Sequence, residues 1–467
     1  MMRLAVIFES SPFDRKGLFN AVHNRVKYLL ATGECIIDVF CVHSRDNAFT
    51  RRVRHTPEVP SVDETVVDGI RYRLLWYRFS ILDNVLLEKL HVRPWLFRRF
   101  MESHVDLLKG YDAVIAHSFC GGLFALAAHE RFGVPYYVTW HGSDVHTHPW
   151  RVPVILEDTR AVMESARCNF FVSRALLEAS ERITSANDVL PVSSGDTGGA
   201  QAHRRVTSGV SPVRKEVLYN GVSEDFVKYS PEDRAAVRER YGLSAEDKVV
   251  AFVGNLVTVK NVLSLPEIFA KVAKGYDGPL KFWIIGDGKL RKPLEATMDL
   301  SFRPNEVSGE ISFFGNQPSP AMPDIMNCID VLVLPSLNEG LPLVCAEALS
   351  CGAAVVGSDV GGIPEVIGSD NVVPLVSPND TDTFPGSPSD NGSPSDNVPP
   401  PGSPSGPLIC TGHEKGNSGR AYDDSFVNGM AEKVVAALVG QTTSQTLPAA
   451  ISWVRTAAQE LAALKSL

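Results

Sequence analysis

Short apolar runs alternate with helix-like spacing along most of this chain. "RLAVIF" is followed by "NAVHNRVKYLLATG" and "CIIDVFCV", and then by "DAVIAHS", "LFALAAHERFG", "PYYVTW", "CNFFVS" and "EVLYN". Strands alternating with helices predict parallel βαβ units in a doubly wound sheet. The same grammar then starts again. "KVVAFVG", "KFWIIGDG", "ISFFG", "DVLVLPS" and "AAVVGSD" read as strands, with "PLEATMD" and "PLVCAEALSCG" among the helices. The expected fold class is α/β with two tandem Rossmann-like domains, 1–222 and 245–450, and a closing helix over 451–467. The charged, Pro-containing "GVSEDFVKYSPEDRAAVRERYG" joins them. Two stretches break the rhythm: roughly 185–213 is Ser/Gly-rich, and roughly 377–420 carries the tandem hexad "GSPSDNGSPSDN". Both are expected to be mobile insertions.

Composition narrows the function classes. At 467 residues the chain is too long for one ordinary core, in keeping with two domains. Its net charge of -9 argues against general nucleic-acid binding. No window is apolar enough for a membrane span, and the run from Leu4 to Phe8 is too short for a signal-peptide core, so a cytoplasmic protein is expected. Eight cysteines without CxxC pairs or zinc spacing read as buried, reduced thiols.

The segment "LPSLNEGLPLVCAEALSCGAAVVGSDVGGIPEVI" is strongly apolar, yet it carries Glu339 and Glu347. An unpartnered buried carboxylate is costly, so these two either face solvent or meet a ligand. Gly340 and Pro342 suit a turn into a helix of about 342–350. The amides of Gly340, Leu341, Leu343 and Val344 would then open the helix, where backbone N–H groups and the helix dipole favour a diphosphate. Glu339, in the loop after the strand, could reach beyond the phosphates. Glu347, farther along the helix, could accept hydrogen bonds from the two hydroxyls of a ribose. Two ordinary solvated acids is the plain alternative.

In full, "PSLNEGLPLVCAEALSCGAAVVGSDVGGIPEVIG" resembles the signature of retaining glycosyltransferase family 4, which has the GT-B fold and two glutamates separated by seven residues. "FVGNLVTVKN", "IIGDGKLRKPLE" and "ISFFGNQP" are similar to the family's other C-terminal motifs, and the likeness covers most of 3–376. It implies that Glu339 lies beside the donor sugar and its phosphates and that Glu347 holds the ribose. Gly254, Gly286 and Gly315 then belong to the donor-binding loops, and the closing helix can cross back to the first domain. Lys260 is the expected cation for a leaving nucleoside diphosphate, whose charge grows in the transition state. Asn255 stands where the family often has Arg, which makes that phosphate contact a neutral one.

In the first half, "VTWHGSDV" is similar to the family's acceptor-side motif, in which the residue matching His141 contacts the donor sugar. Taken by itself, a His at a strand end is more often structural. Gly17, at the start of the first helix, matches the family's acceptor and phosphate loop. No metal or other cofactor is expected, the nucleotide sugar being a co-substrate. The resemblance implies a UDP-, GDP- or ADP-sugar donor, a carbohydrate or lipid-linked acceptor hydroxyl, and transfer with retention of anomeric configuration, of hexosyltransferase type. An epimerase or hydrolase on the same fold, and a catalytically weak donor-binding protein, stand as alternatives.

Residues 69–101, "GIRYRLLWYRFSILDNVLLEKLHVRPWLFRRFM", carry seven basic residues against two acidic ones, with Trp76, Tyr77, Trp95 and Phe97 among them. Two readings are open: a peripheral contact with an anionic membrane, or amphipathic helices whose aromatics enter the core.

Overall fold

The structure is a computed structural model. It describes residues 1–13, 17–45, 59–60, 62–78, 81–185, 213–302, 309–375, 422–442 and 445–466. The stretches expected as insertions lie outside the described residues, apart from Ser185 and Val213 at the ends of the first.

Among the described residues the strands form two sheets. The first contains β1 (Met2–Glu9), β2 (Cys35–Arg45), β3 (Glu64–Val67), β4 (Ile70–Arg78), β5 (Ala113–His117), β6 (Tyr136–Trp140), β7 (Cys168–Phe171) and β8 (Lys215–Val217), in the order β3-β4-β2-β1-β5-β6-β7-β8. The second contains β9 (Lys248–Val253), β10 (Leu280–Ile285), β11 (Glu310–Gly315), β12 (Val331–Leu334), β13 (Ala354–Ser358) and β14 (Val372–Val373), in the order β11-β10-β9-β12-β13-β14. Every pairing is parallel except β3 with β4. The fold is GT-B: two doubly wound parallel-sheet domains.

Why β1 is apolar without alternation follows from its two buried faces. Ala5 and Ile7 pack with Phe124, Ala125 and Val162 on one side of the sheet. Leu4, Val6 and Phe8 pack with Val22, Val26 and Leu29 of the helix Gly17–Ala31 on the other. Leu461 and Leu464 of the last helix, Trp453–Lys465, join this second face, and Tyr137 donates a hydrogen bond to the Ala463 carbonyl. The end of the chain thus returns to the first sheet.

One expectation about 69–101 needs correction. Residues 70–78 are a strand, paired with β3 through the two-residue turn Asp68-Gly69, where both φ angles are positive (48° and 80°). That backbone matches the twist of a hairpin and favours Asp-Gly, a signal present in the sequence. Helices begin later, at Ile81–Leu90 and Trp95–His104. The aromatics divide between the two readings. Trp76 packs on the core and donates to the Val62 carbonyl, and Tyr77 sits against Phe97 and Phe100, whereas Trp95 is 60% exposed.

A buried charge pair joins the first and last helices. Arg25 donates to Thr139 Oγ1 (2.6 Å) and Asn220 Oδ1 (3.3 Å), and its Nε lies 3.7 Å from Glu460 Oε2. Burial pushes the Glu460 carboxyl up and the Arg25 guanidinium down, each opposed by the charge of the other. Removing one partner strands the other in the core, whereas replacing both by apolar residues of similar volume restores packing. Arg25→Met is expected to destabilise the protein by about 3 kcal/mol. The double variant Arg25→Met with Glu460→Leu should recover most of that loss, read from urea denaturation midpoints.

Candidate active site

Parallel strands place all their carboxyl ends on one edge of a sheet, and loops leaving that edge can converge on a crevice. Here the edges of the two sheets face each other. The loop after β6 carries His141 and Gly142, and the loop after β12 carries Ser336, Glu339 and Gly340. They touch through backbone: a Cβ on Gly340 would lie 1.9 Å from the His141 carbonyl oxygen, so only glycine fits. Gly361 closes against the same loop from behind, where a Cβ would meet the Glu339 carbonyl oxygen at 1.9 Å.

On the second-sheet side, Lys260 Nζ donates to Glu339 Oε1 at 2.5 Å, and Ser336 Oγ donates to the same oxygen at 2.7 Å. Lys260 closes a single 3₁₀ turn, Thr258–Lys260, whose loop is tied to the Glu339 loop by the hydrogen bond from Leu337 N to the Val259 carbonyl (2.8 Å). Glu347 lies in the helix Leu343–Ser350, which begins one residue later than the expected Pro342, with Pro342 preceding it as the cap. With no charged partner among the described residues, the Glu347 carboxyl is pushed up to about 7 by desolvation.

The glycine loops assemble beside this cluster. Gly254, Gly286 and Gly315 have positive φ at the ends of β9, β10 and β11. Gly254 N donates to the Ile285 carbonyl and Gly286 N to the Gly315 carbonyl, which locks the three strand exits in step. Asn255 is exposed in the following loop. Leu341 is buried, while Leu343 and Val344 are half-buried at the helix start. Gly17, by contrast, is exposed at the first residue of its helix, and a Cβ there would meet nothing within 4 Å.

On the first-sheet side, His141 follows β6 and His117 ends the neighbouring β5, with His117 Nδ1 3.1 Å from His141 Nε2. Asp144 accepts the amides of His141 and Gly142 (3.1 and 2.8 Å), which fixes the turn that presents the imidazole. Desolvation, reinforced by the Arg25 charge, lowers His141 to about 3. Burial first, then the charge of Arg25 and the closeness of the second imidazole, His141, hold His117 well below the usual histidine range. Two neutral rings can share one hydrogen bond, and neither can serve as a cation at neutral pH. Among the described residues no group of three His, Cys, Asp or Glu side chains is arranged to hold a metal.

Reasoning from the sequence missed His117, Arg25 and Ser336. Signals for the first two were present: His117 closes "DAVIAH" as His141 follows "YYVTW", and Arg25 interrupts the apolar stripe of Val22, Val26 and Leu29.

These features define a GT-B architecture with a polar cluster at the strand ends of each domain. Residues 247–385 match the family model described as glycosyl transferases group 1, and residues 28–194 match that of the glycosyl transferase 4-like domain. D-inositol 3-phosphate glycosyltransferase of Mycobacteroides abscessus is 26% identical over 277 residues, 59% of this chain and 57% of that one. The chain spans about half the length of the curated relatives it matches. HepE of Anabaena, solved with UDP and glucose, aligns over 100% of both chains with a TM-score of 0.58 at 14% identity. WaaG, a glycosyltransferase involved in lipopolysaccharide biosynthesis, aligns over 98% of this chain and 94% of its own with a TM-score of 0.56, also at 14% identity. The two family matches together take in more than half of the chain, which belongs to the family-4 type of GT-B glycosyltransferases.

The His pair makes a direct expectation. In nitrogen-15 NMR spectra, the His141 and His117 ring signals should stay at neutral-imidazole positions from pH 8 down to about 5, because burial and Arg25 oppose protonation. An Arg25→Met variant should raise both midpoints. Titration of His141 near 6.5 in the parent would contradict the buried geometry.

Proposed function

We propose that this protein transfers a sugar from a nucleoside-diphosphate sugar to an acceptor hydroxyl with retention of anomeric configuration, as a hexosyltransferase. The observation that carries the reading is the Lys260–Glu339–Ser336 cluster at the strand ends of the second sheet, in backbone contact with the His141 loop of the first. Residues 245–450 hold the donor and residues 1–222 the acceptor. An incoming diphosphate competes with Glu339 for the Lys260 ammonium, freeing the carboxylate to face the sugar. The bond between the anomeric carbon and the phosphate oxygen breaks with its electron pair going to the diphosphate, whose charge Lys260 stabilises. The acceptor oxygen bonds to the anomeric carbon on the same face, and its proton passes to the departing phosphate. Neutral His141 supplies a hydrogen bond to the donor sugar, and Glu347 accepts from the ribose hydroxyls. The UDP and UDP-glucose bound by HepE favour a uracil nucleotide as the first donor to try.

Thermal shift with UDP-, GDP- and ADP-sugars tests the donor class, since a ligand at 100 times its dissociation constant adds roughly 2.7 kcal/mol. No shift with any would overturn the reading. Consumption of the donor without an acceptor would favour an epimerase or hydrolase, and binding without turnover a donor-binding protein. Glu339→Gln should lower kcat by about a hundredfold with donor affinity little changed. Glu347→Gln should weaken donor binding about tenfold. Because the Glu347 carboxyl is pushed up to about 7, it is protonated below that pH, so donor affinity should fall as pH drops through 7 in the parent and lose this dependence in Glu347→Gln.

A second observation supports peripheral membrane contact on the acceptor side. Leu82, Val85, Leu90, Val92, Trp95 and Leu96 are 40 to 67% exposed on or between the helices Ile81–Leu90 and Trp95–His104. The local positive charge is partly cancelled: Arg93 pairs with Glu157 and Asp158, and Arg98 with Glu102. Apolar insertion therefore dominates, with Lys89 and Arg99 exposed beside it. No helix among the described residues is long and apolar enough to cross a membrane. The protein should float with phosphatidylglycerol-containing liposomes, and Trp95→Ala with Leu96→Ala should abolish flotation; absence of flotation in the parent would reject the contact.

A further inference from the structure

Behind the seam between His141 and Gly340, the two domains share a second contact built around one carboxylate. Glu365 belongs to the short helix Ile363–Ile367 of the second domain. Its Oε2 accepts the amide of Arg174 at 2.9 Å, and its Oε1 accepts the amide of Ala175 at 3.0 Å. Both amides open the first-domain helix Arg174–Ser185, which follows β7. Tyr219, near the end of β8, donates its hydroxyl to Oε2 at 2.8 Å. Ser173 Oγ accepts the next amide of the same helix, that of Leu176, at 3.2 Å.

The first amides of a helix have no partner within it. Ser173 caps one from its own domain, whereas the Arg174 and Ala175 amides are capped across the domain boundary. A carboxylate accepting two such amides at the positive end of a helix dipole makes a charge-assisted contact stronger than a neutral one. This contact exists only when the domains are together. If they separate, both amides, the Tyr219 hydroxyl and Glu365 return to water.

Glu365 is also coupled to the reactive loop by a short path. Gly362, three residues earlier, donates its amide to the Gly340 carbonyl at 2.9 Å, and a Cβ on Gly362 would lie 3.0 Å from the Ser173 Cβ. The segment 361–365 therefore touches the Glu339–Gly340 loop on one side and the start of the Arg174 helix on the other. Burial, and then the Glu365 carboxylate, push the Tyr219 hydroxyl up to about 12, so it remains a donor at any ordinary pH.

We infer that Glu365 is a positioning residue: a latch that holds the domains in the arrangement bringing His141 against the Glu339 loop. The inference rests on the proposed transfer reaction for its catalytic consequence, but not for its structural one. With the latch open the second domain would still hold the nucleotide, and the donor would lose only the His141 contact to its sugar. Transfer, which needs groups from both domains, would not proceed.

The test uses Glu365→Gln, Glu365→Ala and Tyr219→Phe in the full chain. Circular dichroism and a nucleotide-induced thermal shift establish that each variant is folded. Small-angle scattering should give Glu365→Ala a larger radius of gyration than the parent, with and without UDP. Glu365→Gln, which keeps the shape but offers only one accepting oxygen, should lower kcat by about tenfold while the donor dissociation constant stays within about twofold. Tyr219→Phe, losing one of the three hydrogen bonds, should show a smaller fall in kcat. Parent-like radius and kcat in Glu365→Ala would overturn the latch, as would a loss of donor affinity that matches the loss of kcat. If the parent itself binds no nucleotide sugar, the transfer reading fails, and the latch is judged on the unliganded radii alone.

Discussion

A carbonyl oxygen of the first domain lies where the side chain of residue 340 would begin, and this single approach ties the two halves together. With His141 O 1.9 Å from the position of a Gly340 Cβ, the loop ends of β6 and β12 meet backbone to backbone. Such contact is available because, β3 apart, both sheets are parallel and the exits of their parallel strands lie on one edge. The site is thus a consequence of topology: each sheet contributes the ends of several strands, and glycine lets them come close enough for His141 and Glu339 to share one crevice.

The seam also sets the electrostatics. Lys260 and Glu339 pair at 2.5 Å beside it. Across the seam the imidazoles are kept neutral by burial and by Arg25, which is itself held by Thr139, Asn220 and Glu460. The returning last helix supplies Glu460, so a residue from the end of the chain helps compensate the cation that keeps His141 unprotonated. Stability of the first domain and the protonation state of its site are therefore linked through one guanidinium.

Much of this was legible in the sequence, for physical reasons that differ from place to place. The strands buried on both faces announced themselves as uninterrupted apolar runs, and β1, β9 and β12 fall on "RLAVIF", "KVVAFVG" and "DVLVLPS". The hairpin of β3 and β4 was missed because β4, "IRYRLLWYR", mixes Arg and aromatics like an amphipathic helix, and the Asp-Gly turn was the better guide. The two glutamates and Lys260 were singled out from local motif, and the structure joins Lys260 to Glu339. His117, Arg25 and Glu365 were not found, although Glu365 stands in "GGIPEVI". Each acts through a partner far away in sequence, and one sequence read alone does not encode which distant amide a carboxylate will meet.

The environments of the two glutamates explain why one apolar segment carries both. Glu339 accepts hydrogen bonds from an ammonium and a hydroxyl, and it sits in the loop after β12. Glu347 is fixed within a helix and has no charged partner among the described residues, and burial pushes its carboxyl up to about 7. A carboxyl in that state tolerates burial by taking up a proton, and a ligand offering hydroxyl donors would replace the proton as the stabilising partner. The segment is therefore apolar because it must build a strand and a helix of the core, and each of its acids is tolerated by a different device: one by a fixed countercharge, the other by a proton that can leave.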